Sequence, residues 1–368
     1  MAARHTAWGS FAFVILVSGA CAQEWHQMDT PERIRSGLEA NATRVYQLKP
    51  TIQPRPLPPA TPSDFTQKLT AEGQSHVGNA VSAMVLDNGH LVFELYNQGG
   101  GPSAMANAYS MTKSMTSLAV GEALCAGKIK SLDDLAQTYV PALEGTPYGK
   151  ATIKQLLTYT SGAEDPGGNG YVGIHSRMGY HAMVTHKRSL VDLIKSHSGN
   201  SRFKAGERFI YNGLDSQTLS LVVRNATGMP LPAWFENTVW NAAGTESPGA
   251  WFVDTEGNGN GEILFFATPR DLARIGQFVL ERLTDQAGSE CIRAYLKEAA
   301  KPLVTKGYWP SAPMWGYALH TGADGNVWMF GHNDQRVGIN VAKKRVFVTT
   351  SNRNSRETDA SAQGFLAR

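Results

Sequence analysis

The sequence predicts an α+β fold, in which an antiparallel sheet built from both ends of the chain is flanked by helices and interrupted by a mostly helical insertion. Three observations predict it. Val81, Ala83 and Val85 alternate with Ser82 and Met84, Asp87-Asn88-Gly89 turns the chain, and Leu91 to Tyr96 returns. That is a hairpin pattern, with Asn-Gly supplying the positive φ angles of a tight turn. Val327 to Phe330, Val337 to Val341 and Val346 to Thr350 form a second strand-rich block, with Lys343-Lys344 as a polar turn. Between the two blocks, residues 110–300 carry mainly helical periodicity, broken by glycine-rich loops at 161–174 and 256–261.

The flanking segments follow from composition. With 368 residues, 42% of them apolar, the chain can bury a sizeable core, and its length suits two domains or one domain with a large insertion. Residues 23–49 show a helical pattern (Ile34, Leu38, Val45, Leu48), and six prolines between Pro50 and Pro62 impose an extended linker. Residues 23–62 therefore read as an N-terminal extension, and 63–368 as the main domain with its helical part at roughly 125–260. Residues 1–22 read as a signal peptide: Arg4 supplies the positive end, Phe11 to Val17 the apolar run, and Ala20-Cys21-Ala22 a small-x-small cleavage signal. The expected mature protein begins at Gln23 and is periplasmic or secreted; lipoprotein processing at Cys21 is the competing reading. No apolar run reaches the length of a transmembrane segment. A net charge of +3, with no basic run beyond Lys343-Lys344-Arg345, argues against nucleic acid as a partner.

The chemistry centres on Tyr109-Ser110-Met111-Thr112-Lys113 ahead of a helical stretch to Cys125. A serine opening a helix lies near partly positive backbone N–H groups. A lysine three residues on sits one turn away on the same face and, in a dry site, can take the serine's proton. A Ser-x-x-Lys spacing alone also describes ordinary surface helices.

Further segments in order along residues 79–351 change that balance: Gly127 to Asp134, Ile153 to Gly162, Phe209-Ile210-Tyr211-Asn212, Ala267 to Arg274, and Gly331-His332-Asn333-Asp334-Gln335. With them the chain resembles the serine β-lactamase, penicillin-binding protein and related esterase family, particularly its class C-like branch, in which Ser-x-x-Lys is a signature. The resemblance implies a DD-peptidase/β-lactamase-like fold and acyl transfer without cofactor or metal. It implies Ser110 as nucleophile, with Lys113 and Tyr211 as proton shuttle and the Ser110 and Gln335 amides as oxyanion hole. His332, Asn333 and Asp334 would line the substrate.

Two departures matter. The second motif of the β-lactamases is Tyr-x-Asn, whereas Tyr211-Asn212-Gly213 puts the asparagine one place early. The third is usually Lys-Thr-Gly or His-x-Gly, whereas His332-Asn333-Asp334 ends in a carboxylate. On a strand Asp334 would share a face with His332 and repel the carboxylate of a β-lactam, unless it turned away or paired with Arg336. Both departures lean toward the family's esterase and 6-aminohexanoate-oligomer hydrolase members, acting on a small ester or linear amide. The alternatives are a β-lactamase or D-Ala-D-Ala carboxypeptidase, and a non-catalytic protein that holds a cell-wall ligand.

Other features carry less. Cys125 and Cys291 could pair after export or remain two buried thiols. Asp254 to Asn260 resembles the start of a calcium loop, but its twelfth position is Phe265, so it reads as a turn. His175, His181, His186 and His197 lack metal-ligand spacing, and Tyr171 and Tyr180 could cover a substrate. No Gly-x-Ser-x-Gly elbow occurs, which argues against an α/β-hydrolase.

Overall fold

The computed structural model describes residues 28–76, 80–163, 188–199, 201, 203–306, 313–322 and 325–352. The leader, and the loop holding His175, His181, His186, Tyr171 and Tyr180, lie outside the described residues.

An eight-stranded antiparallel sheet forms the backbone of the molecule. It runs β3 (His90–Tyr96), β2 (Ser82–Asp87), β12 (Arg345–Thr350), β11 (Gln335–Asn340), β10 (Val327–Gly331), β9 (His320–Thr321), β8 (Met314–Trp315) and β7 (Val304–Thr305). The N-terminal hairpin thus pairs with the last strand, Val85 opposite Phe347 and Met84 opposite Val348. Asn88 and Gly89 turn it with φ of 49° and 79°. Both faces of β2 are covered, so its alternation sorts residues between two cores. Met84 and Leu86 enter the main core, whereas Ala83 and Val85 meet Phe93, Trp328, Phe330, Phe347 and Leu69.

The helix Pro269–Leu283 packs across β12, β2 and β11. Gly276 allows the close approach: a Cβ there would come within 2.5 Å of Val346. The helix Met111–Cys125 is buried along almost its whole length, packed against β10 and the helices Gly213–Thr227, Leu231–Phe235 and Glu290–Ala299. A disulfide joins Cys125 at its C-terminal end to Cys291, with Cα atoms 5.6 Å apart.

A second sheet departs from the sequence-based expectation of a mostly helical middle. Its order is β1 (Val45–Leu48), β5 (Gly249–Phe252), β6 (Phe265–Ala267) and β4 (Ala106–Asn107). Trp251, Phe252, Phe265 and Phe266 are buried on both faces, so these short runs show no alternation to mark them as strands. The N-terminal segment differs likewise. Its helix is Pro31–Ala40 only, capped by Thr30, and Val45 and Leu48 belong to β1, paired with β5. The proline-rich stretch lies extended on the body: Arg55 makes a two-pronged ion pair with Glu281, and Arg274 Nε donates to the Arg55 carbonyl.

Candidate active site

Strand β4 delivers the chain to Ser110. Ala108 N donates to Phe265 O at 2.8 Å, and Asn107 Oδ1 accepts from Tyr109 N at 3.0 Å. Tyr109 then adopts φ 44°, a conformation costly for a bulky residue, by roughly 1–3 kcal/mol. Burial of its ring, in edge contact with His332 at 5.5 Å, and a side-chain bond to Asn333 hold it there. The sharp strand-to-helix turn places Ser110 at the N-cap of Met111–Cys125 with its hydroxyl turned away from capping. A cap serine normally spends that oxygen on a backbone N–H. Here Lys113 Nζ donates to Ser110 Oγ at 3.1 Å.

Lys113 is 1% exposed. Its Nζ also donates to the backbone oxygen of Glu262 at 3.1 Å and lies 3.5 Å from the carboxylate Oε1 of that residue. Burial pushes the Lys113 pKa below the ordinary lysine value, and Glu262 opposes that fall. The Tyr211 ring centroid is 5.0 Å from Lys113 Nζ, so the structure brings Ser110, Lys113 and Tyr211 together. Tyr211 stands in an aromatic cluster with Tyr159 and Trp315, with ring centroids 5.5 Å and 5.9 Å away; Phe209 packs on the same two rings. Asn212 is the N-cap of Gly213–Thr227: Oδ1 accepts from Leu214 N, and Nδ2 donates to Tyr148 Oη.

The third segment corrects one expectation. His332-Asn333-Asp334 is not strand but the turn between β10 and β11, with Asn333 and Asp334 at φ 57° and 59°. Asp334 accepts from Arg336 Nη2 at 2.8 Å, so its charge is neutralised locally rather than presented beside His332. Gln335 opens β11, buried, with its side-chain amide donating to Asn333 O and Ser351 O. This end of β10 abuts the serine turn: a Cβ on Gly331 would fall 2.3 Å from Ala108 O.

Glu262 is the contact that sequence reasoning missed. It lies in an irregular loop with no motif spacing, and only the fold carries it to Lys113, 149 positions away. Asp254, weighed as a calcium ligand, instead uses both carboxylate oxygens within the chain, accepting from Leu190 N, Glu256 N, Asn258 N and Asn258 Nδ2. His197 closes the helix Leu190–Ser196, its Nδ1 2.8 Å from Leu193 O. Among the described residues no group of three or more His, Cys, Asp and Glu side chains gathers as a metal set, and no helix is long and apolar enough to cross a membrane.

The 6-aminohexanoate-dimer hydrolase of Paenarthrobacter ureafaciens is 22% identical over 338 residues, covering 84% of this chain and 83% of that protein. Among solved structures, a provisionally assigned 6-aminohexanoate-dimer hydrolase from Bacillus anthracis superposes with a TM-score of 0.71 at 21% identity, over 88% of this chain and 89% of the other. EstCE1, a hydrolase with promiscuous acyltransferase activity, gives 0.67 at 14% identity, over 83% and 100%. The protein is a serine hydrolase with the penicillin-binding protein/β-lactamase fold. Residues 65–368 match the Beta-lactamase family model, and the chain belongs to that family.

Proposed function

We propose that this chain is an exported serine hydrolase that cleaves a small carboxylic ester or linear amide through an acyl-serine intermediate. The observation that carries the reading is the Ser110 hydroxyl, released from capping and bonded to a lysine whose burial lowers its pKa. Ser110 Oγ attacks the carbonyl carbon while its proton passes to the Lys113–Tyr211 pair, and the backbone N–H groups of Ser110 and Gln335 receive the oxyanion. The pair then returns the proton to the departing alkoxide or amine. Water attacks the acyl-serine, gives a proton to the same pair, and releases the acid as Ser110 regains its hydrogen.

Support for a small ester or amide comes from Gly213 standing where β-lactamases carry asparagine, and from the relatives, a 6-aminohexanoate-dimer hydrolase and a hydrolase with promiscuous acyltransferase activity. Support for export comes from the leader and from the Cys125–Cys291 disulfide, a bond suited to an oxidising compartment.

A fluorophosphonate probe tests the core of this reading. Wild type should be labelled on Ser110, and Ser110→Ala should be folded and unlabelled, with its melting temperature little changed because no cap bond is lost. Tyr211→Phe should lower kcat by roughly 10²–10⁴-fold. A folded Ser110→Ala that still hydrolyses p-nitrophenyl butyrate would refute the assignment. The mature N-terminus should be Gln23 in the exported fraction.

A further inference from the structure

Glu262 is 5% exposed and held by a tightly tied loop. Asn260 Oδ1 accepts from the Glu262 and Ile263 amides, each at 2.9 Å, and also from Gln217 Nε2. Gly261 N donates to Gln217 Oε1, and Gly261 O accepts from Thr116 Oγ1. The loop is therefore clamped between the two helices that carry Lys113 and Gly213. Its carboxylate lies where a side chain at position 213 would go: a Cβ there would sit 2.1 Å from the carboxyl carbon and 2.2 Å from each oxygen. The glycine in the second motif is thus the space that this carboxylate occupies.

We propose that Gly213 and Glu262 form one device, in which the Glu262 carboxylate replaces a second-motif side chain and acts as the positioning residue of Lys113. The proposal rests on the Ser110–Lys113 reading above. The backbone oxygen of Glu262 accepts from Nζ and its carboxylate lies 3.5 Å away, so one residue holds the ammonium group by two contacts while the same Nζ donates to Ser110 Oγ. Tyr211 and His320 on β9 also act on Lys113, with Lys306 Nζ 2.6 Å from the His320 Nδ1, and Tyr159, from the loop after Ile153–Leu157, interacts electrostatically with Tyr211, Glu262 and Asp215 on Gly213–Thr227. Burial raises the Tyr159 phenol and the Asp215 carboxyl well above their ordinary pKa values and lowers His320 well below its own. Glu262 is the carboxylate in contact with Nζ, and it favours the protonated lysine.

The sign of the test follows. Lys113 must be unprotonated to accept the serine proton, so removing the neighbouring anion lets it act at lower pH. Glu262→Gln keeps the shape, and should move the acidic limb of the kcat/KM–pH profile for p-nitrophenyl butyrate down by about one pH unit or more. A residue that served packing alone would lower the profile evenly and leave the limb in place. Gly213→Ala should cost at least about tenfold in kcat/KM against the wild-type background, and little once Glu262 is alanine, because the two changes meet at one point. An unmoved acidic limb in Glu262→Gln, or a silent Gly213→Ala, overturns the proposal while fluorophosphonate labelling of Ser110 stands. Wild type unlabelled at Ser110 overturns the proposal together with the reading beneath it.

Discussion

Asp334 shows how much the placement of one side chain decides. Its φ of 59° favours glycine, the residue the family's third motif usually has there, yet the carboxylate is tied to the 2%-exposed Arg336. Asp334→Gly would relieve the backbone but leave a buried guanidinium without this partner, a loss of about 3–5 kcal/mol that outweighs the relief. The expected result is a lower melting temperature, with the kcat/KM ratio for a cephalosporin over p-nitrophenyl butyrate changed less than about threefold. A large gain toward the cephalosporin would show that the carboxylate does face the substrate. At this scale Ser110 and Lys113 were legible because three positions make one helical turn. Glu262 was not, since its partnership arises from a loop folded against two helices and leaves no local pattern. The role of Asn212 was hidden for a related reason: a cap is read from the helix it opens, and the motif drew the eye to catalysis.

The elements divide in the same way. The β2–β3 hairpin and the last strands announced themselves through Asn-Gly and alternation, whereas β4, β5 and β6 are short and buried at every position, with no alternation to mark them. They matter because β6 bonds the residues on either side of Ser110: Ala108 N donates to Phe265 O, and Phe265 N donates to Thr112 Oγ1. The serine helix is fastened at both ends, by this sheet at the serine and by Cys125–Cys291 at the other. The cysteines are 166 positions apart, so the bond restricts a long loop of the unfolded chain. Replacing both with serine should cost about 2–5 kcal/mol and lower the melting temperature by several degrees, while labelling of Ser110 below the transition is retained. Equal melting temperatures for the oxidised protein and the double variant would show that the bond contributes nothing.

At the scale of the molecule, the family match begins at residue 65 but the folding unit begins earlier. Met28, Ile34, Leu48 and Leu57 are buried in the main core, β1 completes the small sheet, and Trp240 Nε1 donates to Lys49 O. A chain cut to start at Asp64 would bare β5, an apolar strand with unpaired backbone groups. Loss of soluble protein is the expected outcome, and full yield with an unchanged melting temperature would contradict it. From sequence this region reads as an extension outside the main domain, a helical pattern followed by a proline-rich linker, and contacts such as Arg55 with Glu281 are invisible from either end. One further consequence lies in the sheet order. β12 sits between β2 and β11, so the strand laid down near the start of synthesis waits for one made close to its finish. A nascent chain can close neither the central sheet nor the candidate site at Ser110 until nearly all of it has emerged.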